Sequence, residues 1–218
     1  MSDAVTPGAD LGFVHRFVAG RMPQRTPLLL LHGTGGDEHD LIPFAEHVAP
    51  GHPLLSPRGK VSEQGLARFF RRFPDGTWDI DDLEARTQEL AAFVSRAIAA
   101  YRLHKPIALG YSNGANIAWS LLLRNPGLLA GAILMRATLP FDPRPLPDLS
   151  GVPVLLLAGS HDELVPTERA GLLAALLGEV GADVTYDVVP AAHALTERDA
   201  ALAAAWLAAR RAPAAPSP

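Results

Sequence analysis

The amino-acid sequence predicts a doubly wound α/β fold, with a mostly parallel sheet that is covered by helices on both faces. Short apolar runs without polar alternation are typical of parallel strands that are buried on both sides. Longer segments with helical periodicity lie between these runs, so strand and helix alternate along the 218 residues. Apolar residues make up 48% of the chain, which is ample for a buried core. Pro and Gly do not cluster into a linker, which predicts a single domain over residues 1–218 without a large lid domain.

Five apolar runs predict buried strands, at residues 27–31, 53–56, 106–111, 129–135 and 152–158. Residues 182–189 alternate more and predict a strand nearer an edge, and residues 12–18 predict a first strand. Four periodic segments predict helices, at residues 81–101, 113–123, 167–177 and 196–210. At the start of the first helix, Asp81 with Glu84 three residues on resembles a capping box. Ligands of such folds bind beyond the carboxyl ends of the strands, so the residues directly after each apolar run are candidates for function.

The composition excludes several classes of function. The chain has no Cys, which excludes disulfides, a thiol nucleophile and Cys-ligated zinc. No apolar run reaches the roughly 18 residues that a membrane span needs, and residues 1–10 lack the basic and apolar blocks of a signal peptide. The net charge is −4 and the basic residues are scattered, which argues against a nucleic-acid partner. We therefore expect a cytoplasmic protein, with residues 212–218 as a loose tail.

The strongest single motif is GYSNG, with Ser112 at its centre. It lies between the predicted strand 106–111 and the predicted helix 113–123, and it matches the G-x-S-x-G turn that presents a nucleophilic serine. The turn is so tight that the residues two before and two after the serine must be small. The serine then protrudes at the positive end of a helix, which can stabilise developing negative charge. The alternative interpretation is a Gly-rich turn that holds an ordinary serine.

A second Gly-rich loop, HGTGGDE from His32 to Glu38, follows the strand at 27–31. A serine acyl-transfer enzyme needs two backbone N–H groups that face the oxyanion, and we predict that Thr34 and Asn113 supply them. The loop does not have the spacing of the common phosphate-binding motifs. A metal site remains a weaker alternative, with possible ligands that are clustered in this loop: His32, Asp37, Glu38, His39 and Asp40.

An acid and a base follow the last two predicted strands. Asp162 comes after the run 152–158, and His193 comes after the run 182–189. We predict that His193 activates Ser112 and that Asp162 orients its imidazole ring. Glu163 is the alternative acid, because neighbouring side chains in a turn can exchange places. His161 also follows a late strand, but it adjoins Asp162 in sequence and is the weaker candidate for the base.

The serine, the acid and the base occur in the chain order of α/β-hydrolases. The chain resembles their carboxylesterase/phospholipase family, most closely the branch of predicted bacterial esterases linked to methylhydroquinone resistance. The resemblance is carried by the segments LHGTGGDE (31–38), SPRG (56–59), RFFRR (68–72) and GYSNGAN (110–116). It implies hydrolysis of short acyl esters by a Ser-His-Asp triad, with no metal or other cofactor and often as a homodimer. Two positions depart from the family pattern: Ala192 replaces the usual Gly, and Glu163 replaces a frequent Pro.

Residues 59–80 and 138–150 follow strands and are expected to wall a substrate pocket. In the first segment and beside it, Arg58, Phe69, Phe70 and Trp78 are the candidate substrate contacts. An arginine could bind a carboxylate, whereas the Phe side chains could equally pack this segment onto the core. The predicted function is hydrolysis of small carboxylic esters. The alternatives are a lysophospholipase or acyl thioesterase, a C–C bond hydrolase for ring-cleavage products, and a non-catalytic binding protein.

Overall fold

The computed structural model of the chain describes residues 6–7 and 11–210. Within these residues, eight strands form one sheet in the order β1-β2-β4-β3-β7-β8-β9-β10, and β5 with β6 forms a separate two-stranded hairpin. The strands are β1 Thr6–Pro7, β2 His15–Val18, β3 Leu28–Leu31, β4 Leu54–Pro57, β5 Val61–Glu63, β6 Leu66–Arg68, β7 Ile107–Tyr111, β8 Gly131–Met135, β9 Pro153–Gly159 and β10 Asp183–Val189.

The sheet is mostly parallel, as predicted. Strands β4, β3, β7, β8, β9 and β10 pair in parallel, and within the described part of this eight-stranded sheet only the β1–β2 and β2–β4 pairs are antiparallel. All side chains of β3 and β8 are buried, because helices cover both faces of these central strands. The seven predicted strands all occur, with ends that differ from the predicted ones by three residues or fewer.

Five helices lie on the two faces of this sheet in the described chain: α1 Ile42–Val48, α2 Ile80–Tyr101, α3 Asn113–Arg124, α4 Thr167–Glu179 and α5 Glu197–Ala209. Helices α2, α3 and α4 contribute to the larger apolar cluster on one face. Helices α1 and α5 contribute to a second cluster on the other face. The doubly wound α/β prediction is therefore confirmed.

Three local predictions differ from the structure. Helix α1 was not predicted, because its seven residues span only two turns and carry little periodicity. The β5–β6 hairpin lies within residues 59–80, where no strand was predicted. The predicted capping box at Asp81 is wrong: the helix begins one residue earlier, and Asp79 caps it by accepting a hydrogen bond from the Asp82 N–H.

The predictions for the two chain ends lie almost entirely outside the described residues. They are that residues 1–10 do not form a signal peptide and that residues 212–218 form a loose tail. Among the residues that are described, no helix is both long enough and apolar enough to cross a membrane.

Candidate active site

Ser112 lies on the turn between β7 and α3, at the carboxyl end of the central strands. Its φ of 52° is positive, a conformation that non-glycine residues adopt at a cost in free energy and that occurs preferentially at functional sites. The neighbouring glycines explain how the turn closes. A Cβ at Gly110 would lie 2.7 Å from Ala115, and a Cβ at Gly114 would collide with the Leu31 carbonyl. The local sequence thus forces the serine hydroxyl out of the sheet.

The structure brings Ser112, His193 and Asp162 together. The Oγ of Ser112 is 2.9 Å from Nε2 of His193, and Nδ1 of His193 is 2.8 Å from Oδ2 of Asp162. The other carboxylate oxygen of Asp162 accepts hydrogen bonds from the N–H groups of Leu164 and Val165. The carboxylate is therefore held in place by its own turn while one oxygen faces the imidazole.

The two alternative residues are placed differently. Glu163 is exposed, whereas the side chain of Asp162 is fully buried behind His193. His161 is exposed, and its Nδ1 lies 3.2 Å from the Ser160 hydroxyl instead of facing an acid. The geometry thus favours Asp162 over Glu163 and His193 over His161.

Thr34 and Asn113, the two residues predicted to supply oxyanion donors, lie at the same cavity. Asn113 is the first residue of α3, and Thr34 lies in the loop after β3; both residues line the cavity that contains Ser112. Within the described part of the chain, neither the Thr34 N–H nor the Asn113 N–H donates a hydrogen bond to another group. An oxyanion site requires unpaired N–H donors of this kind, so the prediction for Thr34 and Asn113 is compatible with the structure.

His32 braces the Thr34 loop and does not face the serine. Its Nδ1 lies 2.6 Å from the Gly33 carbonyl oxygen, and its Nε2 accepts a hydrogen bond from the Gly59 N–H at 3.0 Å. Burial lowers the pKa of His32, which keeps the ring neutral and suits a ring with one donor and one acceptor nitrogen.

The β5–β6 hairpin braces the same loop from the other side. The Gly35 N–H donates to the Ala67 carbonyl at 2.9 Å, and Nη1 of Arg68 donates to the Thr34 hydroxyl at 2.6 Å. Just beyond β6, the Phe69 N–H donates to the side-chain oxygen of Asn113 at 2.7 Å. One short segment therefore contacts both residues of the expected oxyanion site.

Arg136 holds the loop that carries His193, and the sequence analysis missed it. Its guanidinium is fully buried and donates to the carbonyl groups of Ala192 and Ala194, on either side of the histidine. It also forms two hydrogen bonds with Asp199, at 2.8 and 3.0 Å. A usable signal existed, because Arg136 is a charged residue directly after a buried apolar run.

The departure from the family pattern at Ala192 has little consequence for the backbone. The described non-glycine residues with positive φ are Gln64, Arg102, Ser112 and Arg136, so Ala192 does not need the conformation that favours glycine. Its carbonyl oxygen accepts a hydrogen bond from Arg136, which any residue at this position can provide.

The cavity over Ser112 has a volume of about 440 Å³ and contains one of the four predicted substrate contacts, Trp78. Its walls are formed by Thr34, Arg68, Arg72, Trp78, Tyr111, Ser112, Asn113, Asn116, Thr138, Leu164, Val165 and His193. This volume falls within the range of about 300–1,000 Å³ that is typical of small-molecule sites.

The other three predicted contacts require correction. Phe69 and Phe70 belong to the hydrophobic core, where they are 2% and 0% exposed, so the alternative of core packing is correct for both. Arg58 forms an ion pair with Glu38 and is absent from the cavity wall. Aromatic and basic composition alone did not distinguish these residues from Trp78, Arg68 and Arg72.

The loop that was considered as a metal site is occupied by other contacts. Glu38 pairs with Arg58, and His32 uses both ring nitrogens for hydrogen bonds to the backbone. Across residues 6–7 and 11–210, no group of three or more His, Cys, Asp or Glu side chains is arranged to hold a metal ion.

A mostly parallel sheet with helices on both faces, and a strained serine on the turn after a central strand, together define an α/β-hydrolase. The profile of the phospholipase/carboxylesterase family matches residues 14–209. The chain therefore belongs to this family of α/β-hydrolases.

Individual relatives agree with the family assignment. The chain is 42% identical over 181 residues to the Bacillus subtilis (strain 168) protein named "Putative hydrolase MhqD", a match that spans 82% of this chain and 90% of that protein. The solved carboxylesterase of Bacillus cereus is 39% identical, with a TM-score of 0.88 over 92% of this chain and 95% of that one. The solved carboxylesterase of Mesorhizobium loti is 34% identical, with a TM-score of 0.88 over 94% and 98% of the two chains.

Proposed function

We propose that the protein is a serine carboxylesterase that hydrolyses small or short-chain esters through an acyl-enzyme. The observation that carries this proposal is the continuous hydrogen-bonded series from Ser112 through His193 to Asp162, at 2.9 and 2.8 Å. A nucleophile, a base and a group that orients the base, each within hydrogen-bonding distance of the next, form the arrangement that acyl transfer requires.

In the first half of the reaction, Nε2 of His193 accepts the Ser112 proton while Oγ attacks the ester carbonyl. The Thr34 and Asn113 N–H groups stabilise the oxyanion, and Asp162 stabilises the imidazolium. His193 then transfers its proton to the leaving alcohol, which departs and leaves an acyl group on Ser112. In the second half, water takes the place of the alcohol, and the carboxylic acid is released.

The cavity supports small substrates. Its volume of about 440 Å³ accommodates a short acyl group and an alcohol, and polar side chains such as Thr34, Asn116 and Thr138 form much of its wall. A lysophospholipase or an acyl thioesterase for long chains needs an extended apolar groove. We therefore favour short esters over these alternatives.

Hydrolysis of p-nitrophenyl esters from acetate to palmitate tests the proposal, with wild type beside Ser112→Ala. We expect activity to peak at short chains and to fall by a factor on the order of 10⁶ in the variant. A fluorophosphonate probe should label Ser112 in wild type alone. A long-chain optimum would instead assign the protein to the lysophospholipase or thioesterase class. Absence of both hydrolysis and labelling would favour a non-catalytic binding protein.

A C–C bond hydrolase is the second candidate function, because Arg68 and Arg72 lie on the cavity wall. Ring-cleavage products carry carboxylates, which arginine binds well. The two candidates separate in one experiment: a C–C hydrolase consumes a ring-cleavage product with a much higher kcat/KM than it does a short ester, and an esterase shows the reverse order.

The cytoplasmic location, the single domain and the homodimer remain predictions. Light scattering of the purified chain after size-exclusion chromatography would decide between a monomer near 23.1 kDa and a dimer of twice that mass.

A further inference from the structure

Arg68 is a buried arginine on the wall of the cavity over Ser112. Only 4% of its side chain is exposed. Its Nε donates to the Phe70 carbonyl at 3.1 Å, and its Nη1 donates to the Thr34 hydroxyl at 2.6 Å. Within the residues that the structure describes, Nη2 has no hydrogen-bond partner. A guanidinium that reaches a cavity with an unused donor nitrogen can bind an additional acceptor there.

The charge around Arg68 is incompletely balanced. Arg72 also lines the cavity, and Glu63 is the acidic side chain that pairs with both arginines. Arg72 forms its hydrogen bonds with Oε1 of Glu63, whereas Oε2 lies 3.2 Å from Nε of Arg68 but accepts no hydrogen bond. Two positive charges thus face one negative charge. Burial and the neighbouring Arg72 lower the pKa of Arg68 to about 10, and the side chain is still cationic at neutral pH.

Arg68 lines the same cavity as the groups proposed to react. Arg68 contacts the side chain of Thr34, and the backbone N–H of Thr34 is one of the two donors proposed for the oxyanion. Ser112 and Asn113 line the same cavity. A negative group bound at Arg68 would therefore lie in the same cavity as the scissile carbonyl.

We infer that Arg68, assisted by Arg72, forms a carboxylate-binding subsite, and that the preferred substrates are half-esters of short dicarboxylic acids. This inference rests on the proposed esterase function and specifies its substrate class. The free carboxylate of the acyl group binds the guanidinium, and the ester carbonyl then lies at Ser112. Water cleaves the acyl C–O bond, and the products are the dicarboxylate, the alcohol and one proton.

Monoethyl succinate and ethyl succinamate form a matched pair of test substrates. They have the same length, but the second carries a neutral amide where the first carries a carboxylate. We expect the kcat/KM of wild type to favour monoethyl succinate by about tenfold or more, the usual strength of a hydrogen bond to a charged group. Arg68→Met should bring the ratio of the two kcat/KM values close to one, and Arg68→Lys should retain part of the preference because it keeps the charge.

The ratio of the two kcat/KM values distinguishes a role of Arg68 in binding the carboxylate from a role in supporting Thr34. Arg68 also supports Thr34, so Arg68→Met should lower kcat for both esters, but this loss is common to the two substrates and cancels in the ratio. Arg21→Met is the control for net charge. Arg21 is exposed. The N–H of its neighbour Met22 donates to the Gly51 carbonyl just before β4, so Arg21 lies at the amino ends of the parallel strands, whereas Ser112 lies at their carboxyl ends. The control should leave the ratio unchanged.

Equal kcat/KM values for the two esters in wild type would overturn the inference, as would an unchanged ratio in Arg68→Met. Titration calorimetry with succinate makes the test independent of catalysis. If no ester is hydrolysed but succinate binds wild type at least tenfold more tightly than Arg68→Met, the subsite stands and the esterase proposal fails. If esters are hydrolysed without a charge preference, the esterase stands and the subsite fails.

Discussion

Two buried arginines support opposite sides of the candidate active site, and their surroundings differ. On the His193 side, Arg136 has hydrogen-bond partners for all three nitrogens and a bidentate partner in Asp199. On the Thr34 side, Arg68 has partners for two nitrogens and shares Glu63 with Arg72. Arg136 is anchored to the main sheet, whereas Arg68 ends a two-stranded hairpin that belongs to a separate sheet.

The difference indicates different roles for chemically identical side chains. A buried charge with a complete set of partners has no capacity left for a ligand, so it serves to fix the loops around it. A buried charge with an unused donor at a cavity wall retains that capacity. The number of satisfied nitrogens thus distinguishes a structural arginine from one that is available to substrate.

The largest expected effect is that of Arg136→Met on stability. The variant leaves the Asp199 carboxylate buried without its ion-pair partner, and removal of one member of a buried pair typically costs about 3–5 kcal/mol. We expect a loss of this size in the free energy of unfolding, measured with urea at pH 7. Activity should also fall in the folded fraction, because the carbonyl groups on both sides of His193 lose their donor.

Arg124→Met provides the matched control for that prediction. Arg124 forms a bidentate pair with Glu84, but the two side chains are 18% and 35% exposed. A pair that is partly exposed to water contributes at most about 1 kcal/mol. Equal losses in the two variants would show that the Arg136–Asp199 pair contributes no more to stability than a partly exposed pair. The proposed structural role of Arg136 would then be wrong.

The next largest expected effect is on the pH dependence of the stability of Arg136→Met. Burial would raise the pKa of Asp199, but hydrogen bonds from Arg136 and Thr196 outweigh it and hold the pKa below its ordinary value of 3.8. In wild type, the ionised Asp199 therefore contributes stability above pH 3.8, and this contribution is lost as the pH falls through the folded-state pKa. In Arg136→Met, burial is no longer offset by the guanidinium, and Asp199 takes up a proton at a higher pH.

The stability difference between wild type and Arg136→Met should consequently shrink on acidification. The expected slope is about 1.4 kcal/mol per pH unit while Asp199 is protonated in the folded variant and still ionised in folded wild type. Urea unfolding at intervals from pH 7 to pH 3 measures it. If the stability difference between wild type and Arg136→Met stays constant over this range, the loss in the variant does not come from an unpaired Asp199 charge.

We expect Arg68→Met, on the Thr34 side of the site, to lose less free energy of unfolding than Arg136→Met. The variant removes the donors to Phe70 and Thr34, but it also removes a buried positive charge that lacks full compensation. These effects oppose each other, and we expect a net loss of about 1–2 kcal/mol in the free energy of unfolding. A loss as large as that of Arg136→Met in the same urea experiment would contradict the distinction between the two arginines.

This contrast also explains what could be predicted from the sequence. Ser112, Asp162 and His193 follow predicted strands, so strand positions and local turn chemistry were sufficient to select them. The position of Arg136 after an apolar run was a usable signal, but its side-chain bonds to Ala192 and Asp199 join residues 56 and 63 positions apart, and no local pattern encodes those partners. The burial of Phe69 and the exposure of Trp78 to the cavity likewise depend on how the hairpin packs against the sheet.

The smallest effect concerns the hairpin turn itself, at Gln64 and Gly65. Both residues have positive φ, 54° and 82°, which corresponds to the two-residue turn that favours Asn-Gly. Gln64 was not recognised as a turn residue because glutamine is uncommon there. Since asparagine adopts positive φ more readily, we expect Gln64→Asn to raise the free energy of unfolding by about 0.5 kcal/mol.

We expect the gain in stability in Gln64→Asn to be confined to the hairpin and the Thr34 loop that it contacts. The hairpin holds the Gly35 N–H through the Ala67 carbonyl, so hydrogen exchange at Gly35 should slow in Gln64→Asn. The Ser160 N–H, which bonds to Val189 at the end of the main sheet, should exchange at its wild-type rate. Gly65→Ala is the opposite variant: a Cβ there meets no atom within 4 Å, so its cost of about 1 kcal/mol reflects backbone conformation alone. If both variants changed exchange at Gly35 and Ser160 equally, the Thr34 side and the His193 side of the site would open as one unit. The stability of the hairpin would then not be independent of that of the main sheet.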